Sequence, residues 1–358
     1  MPNFISTDVL KAYLRQTTLV EMVIRSAEFT EALARDFTAL GGAPEDADAL
    51  FGSFGLPTLL SHSPVSQIAA WEYVLQVLRS ANRAKYEAIH KGTPFYFMGV
   101  ASYLTGDFER ALFYMDCAVS EDLRLHGARW SQVPSGLFLR LDDIPDAQFA
   151  KPLVRQTREF FESWCKKVGV EGGTGLTIES YRVKFVDHAM SAEAPLRSAV
   201  TAFLSFLLEA RARLIQLELA PAAEGTGEPF FLHLFKGGLL FETLLKLSTL
   251  GKSVSKAKPK CMLNDLLSDN TLRTALGFPG GITGFGASTF DDVLTAVLAD
   301  ATSARPFVER AVRATWGIRN STGHNLAWPH RPSEAEYAQC FLLILAALCL
   351  ALDRLYPG

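Results

Sequence analysis

The chain has 358 residues, enough for one large domain or two ordinary ones with a real core. Hydrophobic residues make up 49% and charged residues 20%, which excludes long disorder. The formal net charge is -3, which excludes a uniformly basic nucleic-acid binder and leaves room only for a local basic surface.

The opening stretch, MPNFISTDVLKAYLRQ, lacks the basic-then-apolar pattern and small-residue cleavage site of a secretory signal. Apolar spacing of three and four residues predicts an all-α chain. A first helical stretch runs from about Thr7 to Leu40, interrupted near Thr17 and Thr18 and stopped by Gly41 and Gly42. After a turn-rich segment, a long helix starts at Ser63-Pro64, where proline suits a first turn. It carries Ile68, Trp71, Val74 and Val77 inward and ends at His90-Lys91-Gly92, a basic last turn closed by glycine.

From Thr93 to Asp122, Gly99, Ala111 and Ala118 have the spacing of small residues where two antiparallel helices cross closely. Gly106-Asp107 makes the turn, and Tyr103, Phe108 and Met115 fill around it. This stretch resembles one tetratricopeptide-type repeat. No second copy follows at a fixed period, so a solenoid is not expected; the hairpin is either plain packing or a surface for a protein partner. Trp130, in HGARW, is either a base-stacking platform or a core residue.

FAKPLVRQTREFFESWCKKV is a further amphipathic helix. The glycines of EGGTG and the β-like YRVKFV then place a domain boundary at 168–190, with a local strand pair. The expected division is a helical N-terminal domain, 1–167, and a helical bundle, 191–358. In the second, helices are expected over Glu193–Leu219, over FFLHLFKGGLLFETLLKL and over about Leu263–Leu267. The connector GKSVSKAKPK carries Lys252, Lys256, Lys258 and Lys260 with no acid among them. It reads either as a track for an RNA backbone or as a solvated loop. Glu242 faces a cleft as an additional polar residue, or pairs with Lys246 four residues on at the surface. His188 and His233 read as structural.

GFPGGITGFGAST follows no strand and lacks the Lys-Ser/Thr ending of a P-loop, so it reads as a flexible rim loop. Ser288 or Thr289 caps the helix FDDVLTAVLAD. The next helix starts near Ser303, with Pro306 tolerated in its first turn. Ser333 and Glu336 form a capping box for the last helix. Its apolar run, Cys340 to Leu352, is too short to span a bilayer and predicts a buried helix. Five scattered cysteines without a CxxC pair give no disulfide framework and no zinc site, and suit a reducing cytoplasm. No metal or other cofactor is expected.

The chemistry concentrates in WGIRNSTGHNLAWP, residues 316 to 329. The helix from Ser303 turns Phe307, Ala311, Ala314 and Ile318 to one side, so Arg319 emerges at the edge of the core. There a cation suits the helix dipole. Asn320 suits a left-handed or capping conformation, Gly323 lets the chain fold back, and His324 returns beside Arg319. Arginine offers a planar fork of donors to a phosphate that gains charge in the transition state. A histidine near neutrality exchanges a proton, and an adjacent guanidinium favours its neutral form. The RNA 2′-hydroxyl is a built-in nucleophile, so such a pair needs no metal. The bland alternative is a helix C-cap with His324 bonded to a carbonyl.

Arg319-Asn320-Ser321-Thr322-Gly323-His324 resembles the Arg-polar-x-x-x-His motif of the HEPN superfamily (higher eukaryotes and prokaryotes nucleotide-binding domains). Its place late in a helical bundle, before a terminal helix, matches too. The resemblance covers about residues 191 to 358. It implies an α-helical domain that dimerises and sets two motifs across a shared cleft. Many members are metal-independent endoribonucleases in toxin–antitoxin, CRISPR or phage-defence systems; others only bind nucleotides, neutralise a partner or hold a complex together. Carried over by position, Arg319 and His324 would be catalytic and Asn320 would orient them. The expected function is RNA cleavage leaving 2′,3′-cyclic phosphate ends, by a cytoplasmic homodimer without membrane contact. The alternative is a non-catalytic binding scaffold.

Overall fold

All regular structure among the described residues is helical, as the apolar spacing predicts. The computed structural model describes residues 26–41, 43, 51, 63–143, 150–191, 194–219, 226–258, 260–285, 290–300, 303–322 and 331–356. The chain divides into two units, Met1–Ala150 and Lys151–Gly358.

In the first unit, α1 (Ser26–Ala39) packs on α2 (Pro64–Ala81), whose Ser63 cap and buried Ile68, Trp71, Val74 and Val77 follow the expected pattern. The helix does not run on to Gly92. Asn82 is extended at φ -157, and its side chain accepts from the Lys85 backbone N–H at 3.0 Å, which ends α2 and starts α3 (Arg83–Ala88). His90 and Lys91 are therefore not the basic last turn of this helix. Both are buried, and Gly92 opens α4 (Gly92–Leu104).

The hairpin forms as its small residues require. Gly106 turns the chain at φ +77, and Asp107 caps α5 (Phe108–His126). A Cβ on Gly99 would lie 2.9 Å from Met115 and 3.2 Å from the Ala111 carbonyl, and Ala111 and Ala118 are fully buried. Trp130, in the 3-10 turn Gly127–Gln132, is buried, so the base-stacking reading fails and the core reading holds. The short α6 (Pro134–Leu139) closes this unit's described part.

The second unit begins earlier than the glycines suggested. The helix α7 (Ala150–Val170) belongs to it, because Phe161 packs on Tyr181 and Phe203, and Trp164 meets Phe341 edge-on at 4.8 Å. The expected strand pair is absent. Residues 178–191 form one helical element, α8, whose middle (Tyr181–Asp187) is a π-helix. Tyr181, Phe185 and Val186 are buried while Val183 is exposed, a helical spacing that short-range alternation disguised as a strand.

Four helices form the centre of this unit: α9 (Ala194–Leu219), α10 (Glu228–Leu247), α15 (Phe307–Thr322) and α16 (Glu334–Leu355). Helix α10 packs on the other three. A Cβ on Gly237 would lie 2.5 Å from Phe206 of α9 and 2.7 Å from Ile344 of α16, so only glycine permits this approach. The capping box of Ser333 and Glu336 starts α16 as expected. This helix exceeds its apolar run: at 22 residues it is long and apolar enough to cross a membrane by length and composition, yet 78% of its 18-residue apolar stretch is buried inside the protein.

Between α10 and α15 lie α11 (Thr249–Ala257), α12 (Leu263–Ser268), α13 (Asn270–Leu276) and α14 (Phe290–Asp300). The expected connector at 251–260 is thus mostly helix, started by Ser248, whose hydroxyl accepts from the Gly251 N–H at 3.0 Å. Ser288 and Thr289, the expected caps of α14, lie outside the described residues.

His233 on α10 is structural, as expected. Its Nε2–H donates to the Phe206 carbonyl at 2.8 Å and its Nδ1 accepts from the Tyr337 hydroxyl at 2.8 Å. Burial lowers its pKa from 6.5 to about 4. Between those values the unfolded chain binds the proton and the folded chain does not. Stability is therefore fully present above about pH 6.5 and falls as the pH drops towards 4. Lowering the pH from 7 to 4 is expected to remove roughly 3 kcal/mol through this group. Urea unfolding as a function of pH checks this. His233→Gln, which keeps polar atoms but does not titrate, should flatten the dependence, and an unflattened slope would refute the assignment.

Candidate functional site

Arg319 sits in the last turn of α15, where the sequence places it. The residues that set its position one, two and three turns back, Ala314, Ala311 and Phe307, are buried with Ile318 beside it. The helix then delivers Arg319 to the rim, its side chain 19% exposed. Gly238 of α10 faces it: a Cβ there would come within 2.8 Å of the Arg319 Cβ. This close crossing brings the next turn of α10, and with it Glu242, under the guanidinium.

Arg319 Nε donates to Glu242 Oε2 at 2.7 Å, and one Nη donates to Asn320 Oδ1 at 3.2 Å. The other oxygen of Glu242 accepts from Lys246 Nζ at 2.5 Å. Glu242 is therefore no surface carboxylate. Its side chain is only 7% exposed and lies between two cations, one from its own helix and one from α15. Such a buried charge needs that pairing. The Lys246 pair was legible from the four-residue spacing; the Arg319 pair depends on the α10–α15 crossing, which no local spacing reveals.

Asn320 does not take the expected left-handed or capping conformation. The helix continues through Thr322, and the Ser321 hydroxyl donates back to the Gly317 carbonyl at 2.9 Å. Asn320 is an exposed residue of that last turn, bonded to Arg319. Gly323, His324, Trp328 and Pro329 lie outside the described residues, so the Arg319 half of the motif carries all the geometry that follows.

The four lysines stand on or beside α11, and each is exposed. Helix α11 packs on α10, α12 and α13, while α15 packs on α10, α14 and α16. Although no acid interrupts the lysines in sequence, the fold supplies one. Lys258 Nζ meets Asp265 Oδ1 at 2.9 Å, which raises the lysine's pKa. In Asp265 the hydrogen bond from the Met262 N–H comes first, with Lys258 second, and together they lower the carboxyl's pKa. Lys258 and Asp265 also line a groove of about 560 Å³ with Leu250, Val254 and Ala257.

The described part of the glycine-rich loop is anchored rather than a flexible rim. Arg313, buried on α15, donates to the Thr283 carbonyl at 2.8 Å, pairs with both oxygens of Asp300 at 3.1 and 3.0 Å, and stands 4.5 Å over the Phe285 ring. Gly284 and Gly317 admit Trp316 and Phe285 at close range, which seats the loop on α15. No local pattern announces this clamp, since its members lie in three separate segments.

Set against protein-family models, curated proteins and solved structures, the chain matches none of them, so its reading rests on the residues described above.

Proposed function

We propose that the second unit is a metal-independent endoribonuclease of HEPN type, acting as a homodimer in which two Arg319–His324 motifs face one RNA strand. The observation that carries this reading is the Glu242–Arg319–Asn320 arrangement. A buried carboxylate grips the guanidinium by Nε at 2.7 Å and so directs its terminal nitrogens, beside the exposed Asn320, to the rim. A guanidinium held in advance stabilises charge on a phosphate without reorganising at the moment of reaction. In this reading Arg319 binds the phosphorane oxygens and His324 takes the 2′-hydroxyl proton as general base. Glu242 is a positioning residue that touches Arg319 and no substrate. A second group protonates the leaving 5′-oxygen, and the products are a 2′,3′-cyclic phosphate and a free 5′-hydroxyl. Lys252, Lys256 and Lys260, all exposed, track the RNA backbone. The protein works in the cytoplasm without membrane contact.

The test is incubation of the purified protein with labelled single-stranded RNA and tRNA in EDTA, beside His324→Ala. Cleavage by the wild type alone, leaving cyclic phosphate ends, is the expected outcome. Equal cleavage by both proteins would remove His324 from the reaction. A second reading, a non-catalytic binding scaffold, draws on the same ion pair, because a structural arginine is also satisfied by a buried carboxylate. It predicts RNA binding without cleavage in this assay.

A further inference from the structure

Within the first unit, three metal-ligating side chains converge that the ribonuclease reading does not use. His90 precedes α4, while Asp122 and His126 stand four residues apart on one face of the end of α5. One ligand atom from each lies within 4.8 Å of the others. His90 Nε2 is 2.9 Å from Asp122 Oδ1, the Ser135 hydroxyl donates to Asp122 Oδ2, and the His126 ring meets His90 edge-on at 5.7 Å. We infer that His90, Asp122 and His126 bind a divalent transition-metal ion of the zinc class, with the fourth coordination position open beside His126.

The donor set is the first argument. Two imidazoles and one carboxylate, with room for a further ligand, suit zinc and disfavour calcium or magnesium, which take oxygen ligands. Charge is the second. The side chains of His90 and Asp122 are only 6% and 8% exposed. A buried carboxylate calls for a cation or a metal. The permanent cations adjacent in the chain are engaged elsewhere: Lys91 and Arg124 both pair with Glu121. Asp122 bonds to a histidine and a serine instead.

The surroundings are built to hold ligands still. Ser135 fixes the second oxygen of Asp122, as an outer partner does for a metal-bound carboxylate. Lys91 donates to the carbonyls of Tyr86 and Ile89, and Arg124 to those of Ala88 and Ile89, which pins the segment that carries His90. A Cβ on Gly92 would lie 2.6 Å from both Asp122 Oδ1 and His90 Nε2, so backbone closes that side of the pair. The open side is that of His126, half-buried in the last turn of α5; its ring nitrogens meet no hydrogen-bonding partner among the described residues.

Zinc bonds of about 2.1 Å in a tetrahedron set ligand atoms about 3.4 Å apart. The His126 ring therefore turns inward on binding, by no more than about 1.4 Å from a spacing within 4.8 Å, a movement its partial exposure allows. The ion takes the place of the proton between His90 and Asp122: an imidazolium releases that proton to solvent, and a neutral imidazole carries it on Nδ1 instead, so that Nε2 binds the metal in either case. The four-residue spacing of Asp122 and His126 was the only trace of this site in the sequence, since His90 comes from a separate segment.

The experiment uses the full chain, stripped with EDTA and dialysed free of it, then titrated with Co2+ as a spectroscopic probe and with Zn2+ as its competitor. The wild type should develop the visible d–d bands of tetrahedral Co2+, and Zn2+ should erase them. His126→Ala should weaken Co2+ binding by at least about 100-fold while its far-UV circular dichroism stays unchanged. Zn2+ should raise the Tm of the wild type and not that of His126→Ala. Absence of the bands in the wild type, or bands of equal strength in the variant, would overturn the site. RNA cleavage is assayed in EDTA, so the two proposals fail or stand separately.

Discussion

Replacing Arg319 by alanine is expected to lower single-turnover RNA cleavage by about 100- to 1,000-fold, the range for removal of one donor aimed at transition-state charge. The same change removes one of the two cations from buried Glu242, whose other oxygen keeps Lys246 at 2.5 Å. Stability should therefore fall by only about 1–3 kcal/mol, the penalty of a partly unsatisfied buried group. Urea unfolding and cleavage, measured on the same preparation, separate the two effects. Arg319→Lys sharpens the test. It keeps a cation near Glu242 but loses the planar fork, so it should recover much of the stability and little of the rate. An Arg319→Ala protein that cleaves at the wild-type rate would end the catalytic reading.

The second large effect is expected at Glu242. Removing it with Glu242→Ala strands two cations where α10 and α15 cross and leaves a void beneath them. Loss of one partner from a fully buried pair costs about 3–5 kcal/mol. Arg319 is 19% exposed and Lys246 36% exposed, so both reach water in part, and about 2–3 kcal/mol is the expected loss. Glu242→Gln keeps the shape and one hydrogen bond to Arg319 and should fold. If Glu242 positions Arg319, the Gln variant should lose about 10- to 100-fold in kcat with KM nearly unchanged. A purely structural Glu242 would leave kcat at the wild-type value once the variant is folded, and that result would separate the two roles.

Gly238 connects these effects to the fold. The same missing Cβ that lets α15 approach α10 also lets Glu242 reach Arg319, so packing and site are set by one contact. Gly237, its neighbour, does the same for Phe206 and Ile344. Two adjacent glycines in the middle of an apolar helix lower its intrinsic helical preference by about 1 kcal/mol each. Close packing of α10 against its neighbours offsets that loss.

Local chemistry alone determined a large part of this protein. Some helix starts were readable, at Ser63-Pro64 and at the Ser333–Glu336 capping box, because the signal lies within three residues; the equally local caps at Asn82 and Ser248 were missed. The inward face of α15 and the small-residue crossing of the α4–α5 hairpin were readable too, each a matter of helical period. Where a short pattern fits two periods, the sequence misled: YRVKFV alternates like a strand but buries Tyr181 and Phe185 as a helix, because Phe161 and Phe203 provide the apolar partners. Tertiary structure decided what depends on distant segments. It drew α7 into the second unit, buried Glu242 against Arg319 across 77 positions of chain, clamped the glycine-rich loop through Arg313, and set His90 against Asp122. Each of these joins groups from segments far apart in the chain, and local spacing carries no record of which distant segments meet.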